Sequence, residues 1–189
     1  MVDSRILQTQ SALTKAIFDL ASEKPVSEIA VAEVARRAGI NRATFYNHYL
    51  SPGALLASAV SRELDRVRAA DYAQRARGEE PADATTRRTI EAVITLVERN
   101  RRMFELTLLD REDASVHRAL CAHFEISGRH HLATFASAHP ELNELEVDVV
   151  ARFVAEGITG GIELWLQKPS ISASRLADSI VLAMPQWWH

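Results

Sequence analysis

The sequence predicts an all-α protein with two domains, an N-terminal three-helix module and a C-terminal helical bundle. Three observations support this fold class. Apolar residues recur at intervals of three and four along most of the chain, which is the spacing of amphipathic helices. The alternating β-branched residues expected of strands are nearly absent. The seven glycines and six prolines cluster at a few positions, where they predict helix ends.

Local signals place the first four helices. Pro25 follows the first helix, and Gly39 suits the C′ position of the second, where φ is positive. Asn41 is a good N-cap for the third helix, and Ser51-Pro52 is typical of the N-cap and first residue of the fourth. The predicted helices cover residues 4–23, 31–38, 41–49, 51–76, 83–100, 101–109, 113–138, 144–167 and 172–184.

The same pattern divides the chain into domains. We place a helix-turn-helix domain at residues 1–50 and a second helical domain at residues 77–189, with helix four, about 51–76, connecting them. The boundary falls at residues 78–81, where glycine, two acidic residues and proline indicate a loop.

Composition limits the functional class. The chain has 189 residues, 47% hydrophobic and 25% charged, which is typical of a globular protein and not of a disordered one. A net charge of -3 gives no global attraction to nucleic acid, so any DNA-binding surface must be local. Cys121 is the single cysteine, which excludes an intramolecular disulfide. We find no signal peptide and no membrane-spanning run, and expect a cytoplasmic protein with no membrane partner.

Residues 29–49, IAVAEVARRAGINRATFYNHY, are the most informative segment. A DNA-reading helix must follow its supporting helix after a turn of three or four residues, usually with a glycine. Residues 39–41, Gly-Ile-Asn, provide that turn. Ala35 and Ala38 allow close approach of the two helices, and Val34, Ile40 and Phe45 are the expected inward anchors.

The outward face of the third helix carries groups suited to DNA. Arg42 can pair with guanine, Asn47 with adenine, and Ala43 can contact a thymine methyl group. Thr44, Tyr46 and His48 can donate hydrogen bonds to phosphates. Arg36 and Arg37 lie at the end of the preceding helix, near the expected path of the DNA backbone. The predicted DNA-contacting residues are Arg36, Arg37, Asn41, Arg42, Ala43, Thr44, Tyr46, Asn47 and His48.

This segment resembles the recognition segment of the TetR family of transcriptional regulators, whose usual pattern is IA…aGvs.gtlY.hF followed by sK and a leucine. The matching residues here are Ala35, residues 38–41, residues 43–46 and His48-Tyr49. The resemblance implies a homodimer that binds a double-stranded, palindromic DNA operator. It also implies a regulatory domain from about residue 80 that binds a small-molecule effector, with no enzymatic activity, catalytic residue or cofactor.

One position departs from the family pattern. The lysine that usually begins helix four is Pro52 here, followed by Gly53 in place of an acidic residue. Backbone N–H groups of the helix N-terminus can still face a phosphate, but a lysine side chain cannot. We therefore predict weaker non-specific DNA affinity and a salt dependence shallower by roughly one unit per lost contact.

The eighth predicted helix, 144–167, has an apolar surface wider than one core stripe requires, which predicts a dimer interface. Its glycines either permit close approach of a second copy or merely bend the helix within one protomer. With the last helix it would form a four-helix interface between two copies. The predicted interface residues are Val150, Val154, Gly157, Ile158, Gly161 and Ile180.

Several large apolar side chains are candidates for an effector pocket, although the interpretation that they form an ordinary core is favoured. They are Met103, Phe104, Leu108, Leu120, Phe124, Phe135 and Trp165. Five of the seven histidines lie between residues 117 and 139. His117 and Cys121 have a spacing that two metal ligands use, but the third ligand is lacking, and we predict no metal site.

Two other functions remain open from the sequence. A helical, metal-dependent hydrolase would use the histidine-rich helix, although no nucleophile motif or phosphate-binding loop accompanies it. An interaction protein with a weakened DNA-binding module would explain Pro52 and the sparse basic residues, since residues 26–60 hold three arginines and two glutamates.

Overall fold

The computed structural model describes residues 4–78, 81–110, 112–135 and 146–184, without the side chains of Ser4, Arg5, Ala82 and Phe135. All regular secondary structure in this part of the chain is helical, which confirms the predicted fold class. Its helices are α1 (Ser4–Ala21), α2 (Val31–Ala38), α3 (Arg42–Tyr46), α4 (Pro52–Arg77), α5 (Ala82–Arg99), α6 (Arg101–Leu108), α7 (Ser115–Phe135), α8 (Val147–Gln167) and α9 (Ala173–Ala183), with a 3₁₀ turn at Val26–Glu28.

Three helix ends differ from the prediction by two residues or more. The first helix stops at Ala21 and not at residue 23. Helix α3 was expected to reach Tyr49 but ends at Tyr46, because the chain enters a turn at Asn47. Helix α7 starts at Ser115 and not at Asp113, since the Asp113 carboxylate accepts the Ser115 N–H and precedes the helix. The ends expected at residues 138–140, 144 and 185 lie outside the described residues.

One compact unit comprises Met1–Val60 and Asn100–Ala119. Within it α2 packs on α1, α3 packs on α2, and α6 packs on α1. The apolar stripes of these helices close a core from which water is excluded, and this burial is the main stabilising term of the unit. Fully or nearly fully buried side chains include those of Leu13, Ile17, Val34, Phe45, Leu55, Leu56, Met103 and Phe104.

The second compact unit comprises Ser61–Arg99 and Leu120–His189. Helix α9 packs against both α5 and α8. The indole Nε1 of Trp165 donates to the Ile171 carbonyl (2.8 Å), which fixes the connection between α8 and α9. The core of this second unit includes Val93, Val97, Leu120, Ile162, Trp165, Leu166 and Ala177. No helix in the described ranges is both long and apolar enough to cross a membrane.

Candidate DNA-binding surface

The turn between α2 and α3 depends on Gly39. This residue has φ 68° and ψ 30°, a left-handed conformation that side chains with a Cβ rarely adopt. The Gly39 N–H donates to the Arg36 carbonyl (3.3 Å), and the Ile40 N–H donates to the Ala35 carbonyl (3.0 Å). These bonds satisfy the last carbonyls of α2 and redirect the chain. Ile40 lies partly exposed beside the turn, whereas Val34 and Phe45 are fully buried as expected.

Asn41 begins α3 as its N-cap, as the sequence predicts. Its Oδ1 accepts the Thr44 N–H (2.8 Å) and the Thr44 hydroxyl (3.0 Å). These contacts hold the first turn of a helix that is only five residues long and could not form alone. Asn41 therefore has a structural role in addition to the DNA contact predicted for it, and replacing such a cap with alanine typically costs about 1 kcal/mol.

Ion pairs hold α2 near its connection to α1. Glu33 accepts the Ala30 N–H (2.9 Å) and contacts Lys24 Nζ at 3.0 and 2.9 Å. The Ala30 hydrogen bond, followed by Lys24, lowers the pKa of Glu33. Arg37 pairs with Glu23 at 3.0 Å, so its charge is partly neutralised within the protomer. Of the two arginines predicted to meet the DNA backbone, Arg37 therefore has a competing partner.

The outer face of α3 is accessible. Arg42, Ala43, Asn47 and Tyr46 are exposed, and Tyr46 has 57% of its surface accessible. Phe45 points the opposite way into the core and meets the Tyr46 ring edge-on at a centroid distance of 5.7 Å. Thr44 and His48 are half-buried. Arg42 has no hydrogen bond or ion pair with any residue in the described ranges, so its five N–H donors face outward.

An acidic side chain lies at the start of α4, where the sequence indicated only Pro52 and Gly53. Ser51 Oγ accepts the Ala54 N–H (3.1 Å) and caps the helix. The Asp113 carboxylate contacts the first turn so closely that a Cβ on Gly53 would overlap its Oδ2 and lie 3.1 Å from its Cγ. A carboxylate at this position interacts favourably with the positive end of the helix dipole but repels an approaching phosphate. The missing lysine is thus accompanied by an added negative charge.

A second acid joins the same segment to the N-terminal helices. Asp110 Oδ2 accepts the Ser27 hydroxyl (2.7 Å) and N–H (3.3 Å), and Oδ1 accepts the Glu112 N–H (2.9 Å). Burial would raise the pKa of Asp110, but these hydrogen bonds outweigh it and lower the pKa. The sequence did not indicate the contact between Asp110 and Ser27, which is 83 residues away.

The predicted effector-pocket residues belong to both units. Met103, Phe104 and Leu108 are buried in the first unit, whereas Leu120, Phe124 and Trp165 are buried in the second. The Phe135 side chain lies outside the described part. In the second unit, Phe124 lines a cavity with several polar groups, while Trp165 lines a groove between α8 and α9.

The predicted interface residues on α8 and α9 differ in exposure and form three groups. Val154, Ile158 and Ile180 are at most 8% exposed and form the floor of the groove, whose volume is about 450 Å³. Val150 and Gly161 are half-buried, and a Cβ on Gly161 would lie 3.8 Å from Leu176 and Ile180. Gly157 is exposed, and a Cβ there would meet no atom within 4 Å.

Sequence reasoning missed an exposed apolar stripe on α8. It consists of Val149, Phe153, Gly157, Gly160 and Leu164, whose spacings of four, four, three and four residues place them on one helix face. Phe153 is 77% exposed, and Leu182 on α9 is 87% exposed. The spacing of these residues along the sequence was the signal that could have predicted the stripe.

The histidine-rich helix α7 provides buried as well as exposed histidines. His123 and His131 are at most 4% exposed, and the His130 ring stacks on Tyr72 at 4.0 Å. Cys121 Sγ lies 3.4 Å from both Glu156 Oε2 and Thr159 Oγ1. Burial raises the pKa of Cys121 to about 11, so it is a neutral thiol at pH 7. His139 lies outside the described residues.

Comparison with known proteins identifies the N-terminal segment. Residues 13–59 match the family model described as bacterial regulatory proteins, tetR family. Over 67 residues the chain is 37% identical to YxbF, an uncharacterized HTH-type transcriptional regulator of Bacillus subtilis. The matched segment is 35% of this chain and spans only 18% of that relative.

Solved structures of transcription regulators share the fold along most of the chain. A putative TetR-family regulator from Syntrophomonas wolfei superposes with a TM-score of 0.71 at 11% identity, covering 92% of this chain and 91% of that one. The fatty acid degradation regulator FadR from Bacillus halodurans superposes with a TM-score of 0.68 at 12% identity, covering 92% of this chain and 93% of that one. FadR from Bacillus subtilis, solved with stearoyl-CoA, gives 0.67 at 13% identity, covering 91% and 95%.

Proposed function

We infer the function of this chain from its membership of the tetR family of bacterial regulatory proteins. We propose that it is a cytoplasmic, homodimeric transcription repressor with no enzymatic activity. It binds a palindromic operator through α3 and leaves it when a small molecule binds. The observation that carries this proposal is the exposed face of α3, which Gly39 and Asn41 orient and from which Arg42, Tyr46 and Asn47 project.

The chemistry of that face supports sequence-specific reading. Arg42 has free donors for guanine O6 and N7, and the Asn47 amide matches adenine N6 and N7. Tyr46 and His48 are placed to donate to phosphates and so to set the register on the duplex. With Pro52 in place of lysine and the Asp113 carboxylate at the same helix start, base contacts contribute a larger share of the affinity than is usual for this family.

The apolar stripe on α8 supports a homodimer. Phe153 and Leu164 would cost free energy if left in water, and Gly157 and Gly160 leave room for close helix approach. A second copy related by a two-fold axis would bring the same stripe against itself, because an isologous interface is self-complementary. Two copies of α3 would then face two half-sites, which is why the operator is expected to be palindromic.

The second unit supports control by an effector because it contains a cavity with unsatisfied polar groups. Among the structural neighbours, RolR was solved with resorcinol and Bacillus subtilis FadR with stearoyl-CoA. For this chain we propose a small effector in the cavity beside Phe124. Its effect on DNA binding is limited by its difference in affinity for the DNA-bound and free conformations.

The test is selection of binding sites from random DNA duplexes, followed by fluorescence anisotropy with the recovered site. The proposal expects a two-fold symmetric site whose affinity falls at least about 10-fold in Arg42→Ala, as loss of a bidentate base contact requires. Lys15→Ala, an exposed residue on α1, is the control and should bind like wild type. Recovery of no preferred sequence would favour an interaction protein with a weakened DNA-binding module.

Comparison with known proteins gives no support to the metal-dependent hydrolase. The proposed candidates were the histidines of α7, of which His123 and His131 are buried and His130 stacks on an aromatic ring. The proteins that match this chain are transcription regulators. We therefore assign no catalytic residue.

A further inference from the structure

The second unit holds a cavity between α4, α5, α7 and α8 whose lining is polar on one side and apolar on the other. The polar side includes Asp71, Arg75, Thr89, His123 and Ser127. The apolar side is formed by Ile90, Phe124, Val154, Ile158 and Met184. The enclosed part measures about 50 Å³. One water molecule needs roughly 10–15 Å³ of such space, so a group of a few non-hydrogen atoms fits inside.

The charged groups on the polar side neutralise each other. Arg75 Nε donates to both Asp71 oxygens at 3.1 and 3.0 Å, and its Nη2 donates to Thr86 Oγ1 at 3.2 Å. The Thr89 hydroxyl donates to Asp71 Oδ1 at 2.6 Å. The Asp71 side chain is 6% exposed and that of Arg75 19%. The Asp71 carboxylate thus already accepts three hydrogen bonds from two donors, and Arg75 has no excess charge to offer a buried anion.

His123 contributes a hydrogen-bond donor to the same cavity. Arg68 Nη1 lies 3.5 Å from His123 Nδ1, and a guanidinium can only donate, so Nδ1 is an acceptor and Nε2 carries the hydrogen. Burial and then the Arg68 charge lower the pKa of His123 to about 4, and the ring is neutral at pH 7. Arg68 is itself paired with Asp65.

Two polar atoms on this side of α7 are buried and lack a hydrogen-bond partner in the described ranges. They are His123 Nε2 and Ser127 Oγ, which lie one helical turn apart and both line the cavity. His123 is only 3% exposed. Leaving such a group unpaired costs more free energy than an ordinary hydrogen bond contributes, so a buried donor of this kind calls for an acceptor.

We propose that this cavity binds a small, uncharged molecule whose carbonyl or similar acceptor oxygen meets His123 Nε2–H and Ser127 Oγ–H, with a short hydrocarbon body against Phe124 and Ile158. An uncharged ligand is favoured because Arg75 and Arg68 already have carboxylate partners, and a buried carboxylate without a cation is costly. This inference names the effector class and rests on the proposed regulator function.

The test uses three probes with one ring and different head groups: cyclopentanone, cyclopentanecarboxylate and cyclopentane. Calorimetric titration of the full chain should detect cyclopentanone at a dissociation constant of about 1 mM, a usual value for so small a ligand. The carboxylate and the hydrocarbon should each bind at least about 10-fold more weakly. In the ¹⁵N spectrum of the imidazole rings, cyclopentanone should shift the protonated Nε2 of His123.

Matched variants separate the hydrogen bonds from packing. Ser127→Ala should weaken cyclopentanone binding by roughly 3- to 10-fold, the usual effect of one neutral hydrogen bond. His123→Gln keeps an amide donor and should bind more tightly than His123→Phe. Thr95→Ala, exposed on α5 and away from the cavity, is the control and should bind like wild type.

The proposal is overturned if cyclopentanone binds no more tightly than cyclopentane, or if Ser127→Ala and Thr95→Ala bind it equally. It is also overturned if a crystal structure with the ketone shows ordered water alone on His123 Nε2 and Ser127 Oγ. Sequence-specific DNA binding is measured in parallel on the same preparations. Intact DNA binding without ketone binding refutes the effector class alone, whereas loss of both refutes the regulator function as well.

Discussion

Replacing Phe153 with Ala should weaken self-association of the chain by about three orders of magnitude. Phe153 is 77% exposed on the protomer, and burying a phenylalanine side chain contributes about 1.5–3 kcal/mol. Burying the exposed part of one Phe153 side chain in the interface therefore stabilises the dimer by about 2 kcal/mol. An isologous interface contains the residue twice, which gives about 4 kcal/mol, or roughly 1,000-fold in the dissociation constant.

Sedimentation equilibrium over a wide concentration range measures this constant. Ile126→Ala is the matched control, because Ile126 is also exposed (45%) but lies on α7, outside the α8 stripe. Helix content by circular dichroism should be unchanged in both variants. Equal dissociation constants for wild type and Phe153→Ala would refute the interface. A dimer of Ile126→Ala that dissociates as readily as that of Phe153→Ala would also refute it.

Three further predictions concern the N-terminal unit. Gly53→Ala should stabilise α4 by about 0.5–1 kcal/mol in an Asp113→Ala background, and by less in the wild type, where the new Cβ must displace the Asp113 carboxylate; additive effects in denaturant titrations would argue against the contact. Pro52→Lys should steepen the dependence of DNA affinity on salt by roughly one unit, and an unchanged slope would exclude a phosphate contact at this position. Ser27→Ala should cost about 1 kcal/mol at pH 7 by removing a hydrogen bond to Asp110. Because folding lowers the pKa of Asp110, this stability is fully present above the ordinary value of 3.8 and is lost as the pH falls through the lower pKa of the folded state, so wild type and Ser27→Ala should converge in acid; a constant difference would contradict the assignment.

The DNA-reading segment could be predicted closely because its determinants are local. Gly39 needs a positive φ, Asn41 caps a helix three residues ahead, and the spacing of Val34 and Phe45 marks the buried face. Each signal acts within a few residues, where sequence patterns are most informative. The length of α3 was overestimated because nothing in the residue types at 47–49 forbids another helical turn.

Contacts between distant segments could not be predicted in the same way. The Ser27–Asp110 hydrogen bond and the approach of Asp113 to Gly53 depend on how α6 packs on α1, which no local pattern specifies. The effector candidates were chosen as large apolar residues, and most of them are core. The cavity is distinguished by buried polar atoms without partners, a property that exists only after folding.

The most direct test of the central claim compares binding sites selected by wild type and by Arg42→Ala from the same random duplex library. If α3 reads the operator as a two-fold dimer, wild type recovers a palindrome, and the variant loses base preference at one position in each half-site, symmetrically, while the other positions are retained. An identical preference for both proteins, or a loss in only one half-site, would contradict recognition of DNA through α3 by a symmetric dimer.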